Sequence, residues 1–163
     1  EWSVEIFGRY MAGIHLIAGL GETEKQAVET ISRAHAIGAK THLFSFCPEP
    51  RSVLEDIKPP LLISYRKIQI ARYLINEKNF GLSGIKFNSD GEIIHFDYDI
   101  SRLVDEGYAF MTSGCPCNDN AEIAACNRPF ANERPSENFR NYPYIPEEED
   151  KKIIEKQISA LTK

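Results

Sequence analysis

The sequence predicts an α/β fold built on a parallel sheet, and three observations carry that prediction. The stretch AGIHLIAG (Ala12 to Gly19) is apolar on both of its alternating faces, as a strand covered on both sides requires. A helical pattern with a start signal follows after a short glycine loop. A second β-rich run, KTHLFSF (Lys40 to Phe46), comes next. Strand, loop, helix and strand joined by short links make the βαβ unit of a parallel sheet.

Each element has a local reason. Thr23 is the predicted N-cap of the first long helix, with Gln26 as its capping-box partner. Ala27, Val28, Ile31, Ala34 and His35 recur at helical spacing, and Gly38 supplies the stop. CPEPRS ends the second strand with two prolines. Pro59 and Pro60 then open a helix from about Leu61 to Glu77, with Leu62, Tyr65, Ile68, Arg72 and Ile75 along one stripe.

After Phe80 the pattern changes. IKFNSDGEIIHFDYD reads as two short strands around Asn88-Ser89-Asp90-Gly91, where Asp-Gly is a strong hairpin signal. DISRLVDEG is a short helix ended by Gly107. NERPSENFRNYPYIP is polar, aromatic and proline-rich, so an irregular wrapping segment is expected. EEEDKKIIEKQISALTK is a terminal helix with Ile153, Ile154, Ile158 and Leu161 as its apolar face.

Composition narrows the function classes. The 163 residues fit one domain or a piece of a larger one, and 42% of them are hydrophobic. No apolar run approaches the roughly 20 residues of a membrane span. The net charge of −5 and the lack of a basic stripe argue against nucleic acid as a partner. No secretory signal opens the chain, so the expected location is the cytoplasm. The chain starts at Glu1, and EWSVEIFGRYMAG reads as the end of a helix running into a loop. The expectation is that further sequence precedes it.

Three of the four cysteines, Cys115, Cys117 and Cys126, crowd into TSGCPCNDNAEIAACNRP. A disulfide, a zinc ion, an iron–sulfur cluster and core packing are the candidates. Cysteines in a non-secreted chain are more often metal ligands or core residues than disulfides. A Cys115–Cys117 disulfide would close a very small strained ring. Structural zinc normally takes two Cys-x2–4-Cys knuckles, which this spacing lacks.

The loop IAGLGETE places Gly19 and Gly21 between a strand and a helix start. It reads equally as a tight turn and as a ligand loop, because glycine lets the backbone approach a ligand and helix-start amides favour anions. It is neither the dinucleotide G-x-G-x-x-G nor a phosphate loop with its Lys-Ser/Thr. By strand alternation His15, Ile17 and Gly19 share a face, which makes His15 a candidate for orienting substrate or moving a proton. Neutral core packing is the competing reading for His15. His42 carries less weight, since its face cannot be assigned. His35 is placed on the helix and His95 on the hairpin.

HLIAGLGETEKQAVETISRAHAIGAKTHLFSFCPEP resembles the fifth strand, helix and sixth strand of radical S-adenosylmethionine (SAM) enzymes, most closely the biotin synthase and lipoyl synthase branch. The I-x-G-x-x-E pattern of that branch is matched by Ile17, Gly19 and Glu22, and HLFSFCPEPRS fits the sixth-strand motif. The resemblance covers about residues 12 to 78. TSGCPCN…ACNRPFANERP…NYP resembles the C-terminal region of a subset of these proteins, associated with two-protein lipoyl synthases. Two departures stand out. His15 occupies a position that is Gly in the family, and the Cys-x3-Cys-x2-Cys loop that holds the SAM-cleaving [4Fe–4S] cluster does not occur in the sequence.

The resemblance implies the C-terminal part of a partial (β/α)6 TIM-like barrel. Residues 1–78 would form about two β/α units, and residues 79–163 an extension with the hairpin, the cysteine segment and the terminal helix. SAM would lie across the strand ends, with Ile17 on the adenine, Gly19 and Gly21 leaving room, Glu22 bracing the loop, and Phe44, Ser45 and Phe46 at the adenine edge. Cys115, Cys117 and Cys126 would hold an auxiliary iron–sulfur cluster, with Ser113, Arg128, Cys47 or the substrate as fourth ligand. Arg128 and Arg134 would grip a substrate or SAM carboxylate, against the competing reading of surface pairs with Glu133 or Glu137.

The activity implied is generation of a 5′-deoxyadenosyl radical for sulfur insertion into an unactivated carbon chain, with the auxiliary cluster as sulfur donor. A small-molecule acyl group, or one bound to a carrier protein or peptide, would be the substrate. Ferredoxin or flavodoxin would be the electron donor. Other readings are a radical SAM enzyme whose auxiliary cluster moves electrons or anchors substrate, a non-catalytic half-barrel partner, and a zinc-stabilised binding module.

Overall fold

A computed structural model describes residues 1–113 and 137–161. The fold is mixed α/β, with five α-helices and two small sheets among the described residues, neither of them closed. The elements in order are α1 (Trp2–Phe7), β1 (Gly13–Ala18), α2 (Glu24–Ala36), β2 (Lys40–Ser45), α3 (Leu62–Lys78), β3 (Ile85–Phe87), β4 (Ile93–Phe96), α4 (Ile100–Glu106) and α5 (Glu148–Ile158). β1 and β2 pair in parallel, with Gly13 opposite Lys40 and Ala18 opposite Ser45.

The β1–α2–β2 unit forms as its local signals direct. Thr23 caps α2, its Oγ1 accepting from Gln26 N at 3.2 Å while Gln26 Oε1 accepts from Thr23 N at 2.9 Å. Ala27, Val28, Ile31 and Ala34 are buried along the inner face of α2. Leu43 and Ala18 of the sheet join the same core as α2 and α3, so one face of the sheet is covered by helices.

α3 departs from the predicted single stripe. Every residue from Tyr65 to Asn76 except Lys67 is buried, and four of them (Arg66, Gln69, Arg72 and Asn76) are polar or charged. A helix buried on nearly all sides must satisfy those groups internally. Asn76 Nδ2 donates to Thr41 O at 3.1 Å, tying the helix to β2. Arg66 is fully buried. Its Nε donates to Gln157 Oε1 at 2.9 Å, its Nη1 to Gln69 Oε1 at 2.7 Å and to the Arg140 carbonyl, and its Nη2 to Phe139 O at 2.6 Å. Its guanidinium also lies 5.6 Å from the ring centroids of both Phe110 and Tyr142.

The hairpin forms where Asp90-Gly91 predicts it. Asn88 Oδ1 gathers the amides of Asp90 (3.0 Å) and Glu92 (2.9 Å), and Gly91 takes φ +79°. The hairpin docks on the start of α2. Lys25 N donates to Gly91 O at 2.9 Å, and the buried Glu24 carboxylate accepts from Ile93 N at 2.5 Å. Glu24 also lies 3.5 Å from Lys67 Nζ on α3.

α4 begins at Asp99, whose side chain caps the amides of Ser101 and Arg102, and ends at Gly107 in the left-handed region. α5 buries Ile154 and Ile158 completely, each contributing about 2 kcal/mol. The predicted apolar face of α5 is narrower than expected, because Ile153 is 46% exposed. The segment before α5 is irregular, as its prolines imply, and joins the fold through Tyr142 N to Phe110 O (2.9 Å) and Thr112 N to Tyr142 O (2.8 Å).

Arg66→Met keeps an unbranched apolar stem but removes the donor to Gln157 Oε1, to Gln69 Oε1 and to the carbonyls of Phe139 and Arg140. Stability to urea is expected to fall by on the order of 3 kcal/mol. Arg66→Lys is expected to recover little of it, since one ammonium cannot reproduce the planar fork.

Candidate functional site

Register assigns the open face of the sheet. His15 pairs with His42 and Ile17 with Phe44 across the parallel ladder, so all four side chains point to one side, away from the helices. The His15 ring meets the His42 ring edge-on at 5.6 Å and the Phe44 ring at 5.1 Å between centroids. His15 is exposed, and Ile17 is 41% exposed. Gly13 completes this face. A Cβ there would come within 2.7 Å of His42 Nε2, so the imidazole occupies the space a side chain would need.

His42 is the functional candidate that sequence reasoning could not place. Only pairing with β1 reveals its face, and no local pattern encodes that. The residue is 6% exposed, with Nδ1 at 2.9 Å from Ser113 O. A carbonyl only accepts, so Nδ1 carries the hydrogen. Ser113 is held a second time, its Oγ accepting from Leu43 N at 3.0 Å. Burial drives the His42 pKa below its ordinary value. The Ser113 bond opposes that shift, and His15, Arg72 and Lys40 add to it. The imidazole is therefore a neutral donor at neutral pH.

The glycine loop is braced from within. Glu22 accepts from Gly19 N at 2.7 Å and from Leu20 N at 2.9 Å, closing the turn between β1 and α2. Gly19 (φ +105°) and Gly21 (φ +112°) both take backbone conformations that side chains disfavour, and a Cβ at Gly19 would strike Pro60 at 2.5 Å. The start of α2 is likewise spent on protein groups. The amides of Thr23, Lys25 and Gln26 go to Gln26, Gly91 and Thr23 respectively. Of the two readings of this loop, the anion cradle is the one this geometry disfavours, because amides it would use already donate to carboxylate, hydroxyl or amide oxygens of the chain.

At the end of β2, Ser45 is buried on the helix-covered side and its Oγ bonds Phe46 O at 3.2 Å. Phe46 N donates to Ala18 O at 2.8 Å, extending the ladder. Cys47 follows as a half-buried free thiol. His35 lies on α2, stacked on Tyr10 at 5.3 Å and 3.0 Å from Asn79 Oδ1. His95 lies on the hairpin surface, 3.1 Å from Asp97. Cys115, Cys117, Cys126, Arg128 and Arg134 lie outside the described residues. Among the described residues no three His, Cys, Asp or Glu side chains group as metal ligands, and no helix is long and apolar enough to cross a membrane.

The open face thus offers an exposed imidazole, two apolar surfaces and a fixed neutral histidine, bordered at one end by the braced glycine loop. Comparison of the chain with known protein families, with characterised proteins and with solved structures finds no match.

Glu22→Gln places an amide N–H₂ against one of two amide donors. A loss of about 1 kcal/mol in thermal or urea stability is expected. His42 supplies a pH test. Its folded pKa is depressed, so its contribution to stability is fully present above the unfolded value of about 6.5 and is lost as pH falls below it. Between pH 7 and pH 5 the melting temperature of the wild-type chain is expected to fall more steeply than that of His42→Asn, which has no titrating group there.

Proposed function

We propose that the chain is the C-terminal part of a radical SAM enzyme, two β/α units of a partial (β/α)6 barrel with a cysteine-bearing extension, acting in sulfur insertion into an acyl chain. The observation that carries this reading is the parallel β1–β2 pair with one face open, ended by the Gly19–Glu22 loop. Ile17, Gly19 and Glu22 are the residues of the family pattern, and Glu22 braces the loop in the way the resemblance implies.

The residues present fit SAM in part. Ile17 and Phe44 offer apolar surface on the open face, and Gly21 has open space where a side chain would stand, while the corresponding space at Gly19 is filled by Pro60. When bound beside a [4Fe–4S] cluster held by thiols outside this chain, SAM supplies a 5′-deoxyadenosyl radical. The protein's share is binding, orientation and exclusion of water. In this reading Ile17 and Phe44 flank the adenine, the backbone from Phe44 to Phe46 meets its edge, Glu22 keeps the loop clear of it, and His15 orients substrate from the same face. Cys115, Cys117 and Cys126 hold the auxiliary cluster. Thiolates suit iron–sulfur clusters, and a Cys-x-Cys pair suits zinc poorly.

Anaerobic iron and sulfide analysis after reconstitution tests the reading on the 163-residue chain, beside a Cys115→Ala/Cys126→Ala variant. About four irons and four sulfides in the wild type, lost in the variant, are expected. Zinc in place of iron, or no metal, sinks the cluster and with it the sulfur-insertion assignment.

A further inference from the structure

We infer that the notch over Gly13, where His42 turns its Nε2 toward the open face of the sheet, is a binding site for a small neutral ligand that carries an O–H or N–H donor. The notch depends on β1, β2 and Ser113 alone and goes beyond the radical SAM reading. Gly13 opens β1, so the notch lies about 20 Å along the strand from the Gly19 loop, where that reading puts the cofactor.

His42 is more than nine-tenths buried, yet one of its two ring nitrogens has no use inside the protein. Nδ1–H donates to Ser113 O at 2.9 Å, while Nε2 has no hydrogen-bond partner among the described residues. Polar atoms of buried side chains are normally paired, so an unpaired one aimed outward calls for a partner from outside. The aim is set by Gly13. A Cβ there would stand 2.7 Å from Nε2 and 2.9 Å from Cδ2, so any other residue would cover this edge of the ring. Gly13 is itself exposed, which leaves the edge open to approach. The imidazole is also fixed in place. Ser113 is held a second time, its Oγ accepting from Leu43 N at 3.0 Å, and the His15 ring crosses the imidazole at 5.6 Å. A preorganised acceptor spares a ligand the cost of ordering it.

The class of ligand follows from the polarity of these groups. Nδ1 holds the hydrogen, so Nε2 of the neutral ring presents a lone pair. A carboxylate or phosphate would set lone pairs against it. A cation is disfavoured too, because Lys40 and Arg72 lie near enough to oppose positive charge on His42. What remains is a neutral donor: an alcohol, a phenol, an amide or an amine on an aromatic ring. His15, exposed beside the notch, adds ring surface for the body of such a ligand.

Phenol is the probe, and anisole, the same ring without the O–H, is its control. Each is titrated at neutral pH into the 163-residue chain with labelled histidines, by NMR that resolves each ring nitrogen. The comparison variant is His42→Asn, whose amide nitrogen takes roughly the place of Nδ1, so the Ser113 bond is kept and Nε2 is lost. The free chain is expected to show His42 with its hydrogen on Nδ1. Phenol is expected to move the His42 Nε2 signal and to bind roughly fivefold more tightly than anisole. In His42→Asn, shown to be folded by melting, the two are expected to bind alike. Equal binding of phenol and anisole to wild type overturns the inference, as does a shift confined to His15 or a hydrogen found on Nε2. Failure of phenol to bind at millimolar concentration overturns it as well, and leaves Nε2 to water. Should His42→Asn not fold, Gly13→Ala, which sets a methyl group against Nε2 and leaves both donors to Ser113 in place, is read in the same way. None of these readouts involves iron, so the notch and the cluster stand or fall separately.

Discussion

Arg66 is the interaction on which the rest of the structure depends. A guanidinium with no solvent exposure is costly unless its donors are met, and here four N–H···O bonds reach amide oxygens on α3, α5 and the Phe139–Arg140 backbone. The flanking faces of Phe110 and Tyr142 complete its surroundings. One side chain thereby fixes where the irregular segment before α5 lies. Tyr65 and Gln69, neighbours on the same helix, extend the grip through Asn141. Because these groups are buried and directional, the segment has one seat, where an apolar contact alone would allow sliding.

Glu24 does for the hairpin what Arg66 does for the C-terminal segment. Its buried carboxylate meets Ile93 N and Lys67, so the start of α2, the hairpin and α3 share one polar joint. This has a functional consequence. A helix start after a glycine loop is a ready anion site when its amides are free. Here Glu22, Thr23, Gln26 and Gly91 accept from amides of the loop and the helix start.

The sheet itself is covered unevenly. Parallel strands are normally covered on both sides. β1 and β2 are covered by α2 and α3 on one, while the other carries His15, Ile17, His42 and Phe44. His42 ties this surface to Ser113, about seventy residues further along the chain.

Much of the fold was legible because its signals are local. Thr23 with Gln26, Gly107 and Asp90-Gly91 each specify a cap or a turn within a few residues, and each is found where its chemistry places it. The braced loop was legible from Ile17, Gly19 and Glu22 through a resemblance, which is again a local pattern. The burial of Arg66, Gln69 and Asn76 was not, since nothing in a helical stripe says that a polar residue will be enclosed on every side. Ile153 failed as a core residue for a related reason: the side of α5 that is buried is decided by α3 and α4, not by periodicity alone. By itself the sequence determined the elements, their ends and the parallel pairing, through caps, glycines and apolar spacing. Only the tertiary structure decided the face of His42, its clasp on Ser113 and the closure of the α2 amides. Those depend on register and on contacts between residues about seventy positions apart, which no local pattern carries.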